Sequence, residues 1–149
     1  MNTLIHLRER ALENPKEFVR FIKFATVGAF GAVVDFGILN LLILAFGWAK
    51  WSANIVSFSC AVLSNFTWNR LWTFPESREF PLSSQMTQFA LVNVVGLGIN
   101  QAVFLGLAAV FAPHIPRPWD YNLAKAIAIG VVLFWNFGIN RVWTYGDIE

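Results

Sequence analysis

Charge is scarce in this chain. Only 13% of its residues are Asp, Glu, Lys or Arg, against about a quarter in a soluble domain. Cysteine is almost absent: Cys60 is alone, lies inside an apolar run, and excludes a disulfide framework. It reads as a small apolar side chain. The two histidines, His6 and His114, are far apart and lack metal-ligand spacing. No serine or cysteine stands near a plausible base, and no glycine-rich phosphate loop is present. No enzyme, cofactor or metal is expected. The net charge of +2 is far from the dense basic face that nucleic acid needs. The first twenty residues lack the apolar core and cleavage site of a signal peptide, so the mature chain is expected to begin at or near Met1.

What the chain has is apolar length: 56% of its residues are hydrophobic. About 20 apolar residues in a helix cross roughly 30 Å of hydrocarbon, and four stretches qualify, at about Phe21–Phe46, Trp51–Trp68, Met86–Ala112 and Tyr121–Ile139. The expected fold is all-α and integral to the membrane. Gly47 and Pro113 mark helix stops. Asn14, Pro15 and Glu17 fit the N-cap, N1 and N3 positions of the first helix. Ahead of it, Leu4, Leu7 and Ala11 form an apolar stripe, the pattern of a short interfacial helix within residues 1–19; the plainer reading is a frayed polar tail.

Basic residues set direction. Eight of the eleven (Arg8, Arg10, Lys16, Arg20, Lys23, Arg70, Arg78 and Arg141) fall on one side of these spans, and Lys50, Arg117 and Lys125 on the other. Both termini are therefore expected in the cytoplasm, in a multi-pass protein of the cytoplasmic membrane. Trp68, Trp72 and Trp143 mark the inner interface; Trp48, Trp51 and Trp119 mark the outer one.

The chain also repeats itself. Residues 65–74 read NFTWNRLWTF and residues 136–145 read NFGINRVWTY, with six of ten positions identical. At an offset of 65, Phe24, Ala25, Val27 and Gly31 match Phe89, Ala90, Val92 and Gly96, and Asp35 falls opposite Asn100. Two helical hairpins, about 20–75 and 85–146, are expected within a single domain spanning 1–149. Both begin on the same side, so the repeats are parallel. In each copy Asn65/Asn69 and Asn136/Asn140 share a helix face at i, i+4 spacing, where amides can bond across helices. Arg70 and Arg141 follow at the inner interface, where a guanidinium can hold a phosphate in a fork, with Trp72 and Trp143 at head-group depth. The plainer reading is a topology anchor.

Asp35 is a carboxylate well inside a span, where a charge costs on the order of 2.5–3.5 kcal/mol. Counting about 1.5 Å per residue from each boundary puts Asp35 and Lys125 at similar depth, with Asn54 and Asn100 as their repeat counterparts. The four form an expected polar layer. Its plain reading is a buried pair that locks helix packing; its functional reading is gating or binding. Ala25, Gly28, Ala32 and Asp35 on the first helix, Ala90, Asn93, Gly96 and Asn100 on the third, and Asn54, Ser57, Ala61, Ser64 and Asn65 on the second are expected to face the interior.

These residues resemble the GtrA-like family of small four-helix membrane proteins. The resemblance covers about Arg20 to Tyr145. It rests on Phe21-Ile22-Lys23-Phe24 with Gly28, on Asp35, and on the two NR-WT segments. It implies cell-surface polysaccharide synthesis, with translocation of a polyprenyl-phosphate-linked sugar as the activity and a membrane glycosyltransferase as a partner. Four helices enclose little volume, so a homo-oligomer is expected. Two alternatives stand beside this reading: an accessory anchor that recruits the glycosyltransferase, and a proton-coupled exporter of small cations using Asp35. The resemblance does not explain residues 1–16.

Overall fold

The computed structural model describes the backbone of residues 15–143, and the side chains of residues 15–136 apart from Glu17. The expected interfacial helix at Leu4, Leu7 and Ala11, the Asn14 cap, and the side chains of Asn140, Arg141 and Trp143 lie outside the described residues. Among the described residues the chain is helical, with four long helices and no strand: α1 (Pro15–Asn40), α2 (Lys50–Trp68), α3 (Leu82–Phe111) and α4 (Trp119–Trp143). α1 starts at its proline, whose missing N–H costs nothing in the first turn. It continues as a wider π-type turn over Leu41–Ala45 and stops at Gly47, where φ is +68°. Only glycine takes that conformation readily, and the Trp48 N–H closes back on the Leu42 carbonyl at 2.9 Å.

α1 packs against α2 and α3 against α4 as two hairpins, which meet through α2 and α3. One end of the bundle carries the start of α1 and the 69–81 connection, and is called here the motif end. The other, the far end, carries the 46–49 and 112–118 turns.

Two stretches, Phe18–Ala45 and Leu82–Phe111, are long and apolar enough to cross a membrane. The helices at the other two expected spans, α2 and α4, have 19 and 25 residues. Their average apolarity is diluted by Asn54, Ser57, Asp120 and Lys125, all of which are buried.

The core sits toward the far end, built from Leu39, Ile43, Ala53, Phe104, Ala108, Tyr121, Ala124 and Ala128. The apolar side chains toward the motif end, among them Phe21, Phe24, Val33, Leu91, Val94 and Phe134, point outward, as expected of surface meant for lipid.

The small-residue stripes need correction. On α1 the buried row is Val27, Gly31, Asp35, Leu39 and Ile43, stepping by four. Ala25 and Gly28 are exposed, and so is Ala90 on α3. The apolar residues run all around these helices, so spacing alone cannot choose between adjacent rows. Gly31 is where close approach is required: a Cβ built there would lie 2.1 Å from Asn65 Oδ1, so the α2 side chain rests on bare backbone.

Candidate functional site

Each long helix contributes one residue to a buried polar layer: Asp35 from α1, Asn54 from α2, Asn100 from α3 and Lys125 from α4. Lys125 is 0% exposed. Its Nζ lies 2.8 Å from Asp35 Oδ1, donates to Asn54 Oδ1 at 2.7 Å and reaches Asn100 Oδ1 at 3.4 Å. An ammonium has three N–H donors and no acceptor, and oxygens from three other helices surround it, two amides by hydrogen bond and Asp35 as an ion pair. The rings of Phe58 and Phe104 each stand 5.8 Å from the same nitrogen, adding cation–π attraction where water is excluded.

The network continues through Asn54 Nδ2, which donates to Asn100 Oδ1 at 3.0 Å and to Gln101 Oε1 at 2.5 Å. Gln101 in turn donates to the Trp51 carbonyl at 2.9 Å. Asn100 Nδ2 has no hydrogen-bond partner among the described residues. The layer is neutral as a whole and sets one carboxylate beside one ammonium.

The first copy of the doubled segment forms a wide turn. Asn69–Thr73 leaves the α2 ladder as a π-type turn. The Phe74 N–H closes it on the Asn69 carbonyl at 2.8 Å, and the Thr73 hydroxyl donates to Asn69 Oδ1 at 2.9 Å. Asparagine and threonine four residues apart thus bond across the wide turn, and Thr73 is buried.

Arg70 is tied locally. Its guanidinium donates to Gln85 Oε1 at the start of α3 and to the Phe80 carbonyl at 3.3 Å, while Gln85 Nε2 donates to the Ser77 carbonyl at 3.0 Å. From α1, Arg20 pairs with Glu76 at 2.5 Å, and Lys23 lies 5.3 Å from the Trp72 ring and reaches the Trp72 carbonyl at 3.4 Å. The connection between the hairpins is thereby bound to the entry of α1. Trp72 is exposed. Asn65 and Asn136, equivalent in the two copies, are half-buried, and each leaves Oδ1 enclosed with no hydrogen-bond partner among the described residues.

A second polar cluster caps the core at the far end. Buried Tyr121 donates its hydroxyl to Asn40 Oδ1 at 3.0 Å. Asn40 and Asn122 exchange amide hydrogen bonds at 2.7 and 2.9 Å. Asp120 is 1% exposed, with Oδ2 3.6 Å from Lys50 Nζ.

The structure brings Asp35, Asn54, Asn100 and Lys125 into direct contact. It sets Asn65 on α2, Asn69, Arg70 and Trp72 in the wide turn that follows it, and Asn136 on α4, all toward the motif end. The sequence reading did not single out Gln101, Phe58, Phe104, Thr73 or the far-end group of Asn40, Asp120, Tyr121 and Asn122. Thr73 carried a signal, since both Asn69 and Thr73 recur in the second copy.

The family described as GtrA/DPMS, transmembrane domain, matches residues 23–145. The chain is 31% identical over 125 residues to the "Uncharacterized membrane protein YngA" of Bacillus subtilis (strain 168), covering 84% of this chain and 78% of that one. It is 33% identical over 131 residues to a "Dolichol-phosphate mannosyltransferase" of Pyrococcus furiosus (strain ATCC 43587 / DSM 3638 / JCM 8422 / Vc1), covering 85% of this chain but 32% of that one.

Proposed function

The chain belongs to the GtrA/DPMS transmembrane-domain family, and on that premise we propose that it carries a polyprenyl-phosphate-linked sugar across the cytoplasmic membrane for cell-surface polysaccharide synthesis or glycosylation. In this reading all four long helices cross the bilayer as two parallel hairpin repeats, with both termini and the motif end in the cytoplasm. The tail of such a lipid stays in hydrocarbon, while its phosphate and sugar must pass roughly 30 Å of apolar barrier.

The observation that carries the reading is the buried layer drawn from all four helices, with Lys125 Nζ 2.8 Å from Asp35. Such a pair can lock helix packing, yet it often adds nothing to stability over apolar packing. A passing head group gives it a use: an ammonium and several amides can exchange their mutual bonds for bonds to phosphate and hydroxyls.

At the motif end, Arg70 and Arg141 are assigned to the phosphate. Asn65 and Asn136, whose carbonyl oxygens lack a donor, are assigned to the sugar with Asn69 and Asn140. Trp72 and Trp143 hold the head-group level. Much of the apolar surface of the helices points outward, and a homo-oligomer would cover part of it.

An accessory role alongside a membrane glycosyltransferase is favoured by one specific observation: the similar segment forms 32% of a chain named for a mannosyltransferase, so a domain of this kind is found attached to such an enzyme. Reconstitution separates the two. Proteoliposomes holding the purified protein and a polyprenyl-phosphate glucose labelled in the sugar are treated with a membrane-impermeant sugar oxidant. Translocation predicts that the protected inner-leaflet pool drains only when the protein is present. An accessory protein leaves that pool intact.

A further inference from the structure

We propose that the far end of the bundle carries a second head-group site, in which Lys50 and Arg117 hold a phosphodiester and Asp120 accepts a hydrogen bond from a sugar hydroxyl of the same lipid. The inference rests on the lipid-sugar reading above and adds the place where the head group docks at the opposite face.

Two cations converge on one ring there. Lys50 Nζ lies 5.8 Å from the Tyr121 ring centroid and the Arg117 guanidinium carbon 5.7 Å from it. The ring is a fixed platform, because Tyr121 is buried and its hydroxyl is held by Asn40, itself bonded to Asn122. A single carboxylate, Asp120, faces Lys50 at 3.6 Å. Among the described residues none is ion-paired with Arg117. The cluster therefore has one positive charge in excess, which matches the single negative charge of a phosphodiester. A guanidinium and an ammonium held at one ring suit such an oxygen array.

The second observation is independent of charge. Asp120 is 1% exposed, and its Oδ1 is enclosed with no hydrogen-bond partner among the described residues. A buried acceptor without a donor is costly, and a hydroxyl supplies the donor. At the same end of the bundle, a depression lined by Ile115, Trp119, Asn122 and Leu123 offers a seat for the first carbons of the lipid tail. Net charge, an unpaired acceptor and an apolar surface at the same end fit a phosphodiester that carries both hydroxyls and an alkyl chain. A glycerol phospholipid shares that chemistry, so the test must separate it from the sugar lipid.

The protein in phosphatidylcholine nanodiscs, with a fluorophore at position 114 (His114→Cys in a Cys60→Ala background), is titrated with citronellyl-phosphate glucose and with citronellyl methyl phosphate. The fluorophore reports the far end. Calorimetry reports total binding, and thermal unfolding checks that each variant is folded. The expected result is that Arg117→Gln and Lys50→Gln each weaken both probes about tenfold at the fluorophore. Asp120→Ala weakens only the glucose probe. Alanine removes the acceptor and offers no donor in its place, and the lost negative charge leaves the methyl diester bound at least as well.

Wild-type response in Arg117→Gln and Lys50→Gln overturns the phosphate assignment. Equal weakening of both probes by Asp120→Ala, or wild-type binding of the glucose probe by that variant, overturns the sugar assignment. Loss of the fluorescence response when phosphatidylglycerol enters the nanodisc assigns the site to a bilayer phospholipid instead. Calorimetric binding with no response at position 114 overturns this inference alone, whereas no binding by either method removes the lipid-sugar reading with it.

Discussion

The Asp35 carboxylate and the Lys125 ammonium stand 2.8 Å apart between α1 and α4, inside a layer completed by Asn54 and Asn100. Neither charge has water to fall back on, since Asp35 is 4% and Lys125 0% exposed. Removing one partner strands the other, at a cost of about 3–5 kcal/mol. Asp35→Ala is therefore expected to lower the unfolding midpoint in detergent more than the double change Asp35→Ala with Lys125→Ala. Equal or greater loss in the double variant would show that the two side chains do not depend on one another.

Gly31 and Asn65 make a second dependent pair. A methyl group at position 31 collides with the Asn65 side chain, whereas one at Gly28 meets nothing within 4 Å. Overpacking of this kind costs about 1–3 kcal/mol. Gly31→Ala is expected to destabilise, Gly28→Ala to leave stability unchanged or slightly raised, and Asn65→Ala to restore the Gly31→Ala variant. Thermal unfolding of the four proteins in one detergent checks it. A neutral Gly31→Ala would remove the close contact.

The orientation is tested by single cysteines at Ser77 and Pro116 in a Cys60→Ala background, probed with a membrane-impermeant maleimide on intact cells. Eight of the eleven basic residues lie on the side assigned to the cytoplasm, and such a bias sets topology. Position 116 is expected to label from outside, and position 77 only after the membrane is opened. External labelling at position 77 would reverse the assignment.

Helix number and type were legible in the sequence because apolar length and the stops at Gly47 and Pro113 are strong local signals. Proximity of Asp35 to Lys125 was legible through depth alone, because rise per residue in a helix is fixed. Rotation was not. With apolar side chains on every face of α1, nothing in a 3–4–3 spacing distinguishes Ala25 and Gly28 from the row of Val27, Gly31 and Asp35 that is buried. The wide turn at Asn69–Thr73 was missed because asparagines at i, i+4 were read as tertiary contacts. Asn69 instead bonds within its own turn, to Thr73. The far-end cluster joins Asn40 to Asn122, 82 positions away, and no local pattern announces it.

The most direct measurement is transfer of sugar from polyprenyl-phosphate glucose at the outer leaflet of cells carrying Arg70→Lys, Arg141→Lys, both, or Gln85→Ala. Lysine keeps charge and topology but loses the bidentate fork. Gln85→Ala removes a tie of Arg70 to α3 and leaves the guanidinium in place, so it isolates loop anchoring from phosphate binding. Phosphate recognition predicts that each lysine variant is inserted and expressed normally yet transfers less sugar, on the order of tenfold less for the double variant, for about 1.4 kcal/mol of lost recognition, while Gln85→Ala transfers as wild type. Wild-type transfer by the double lysine variant would contradict the account and leave the two arginines as anchors of topology.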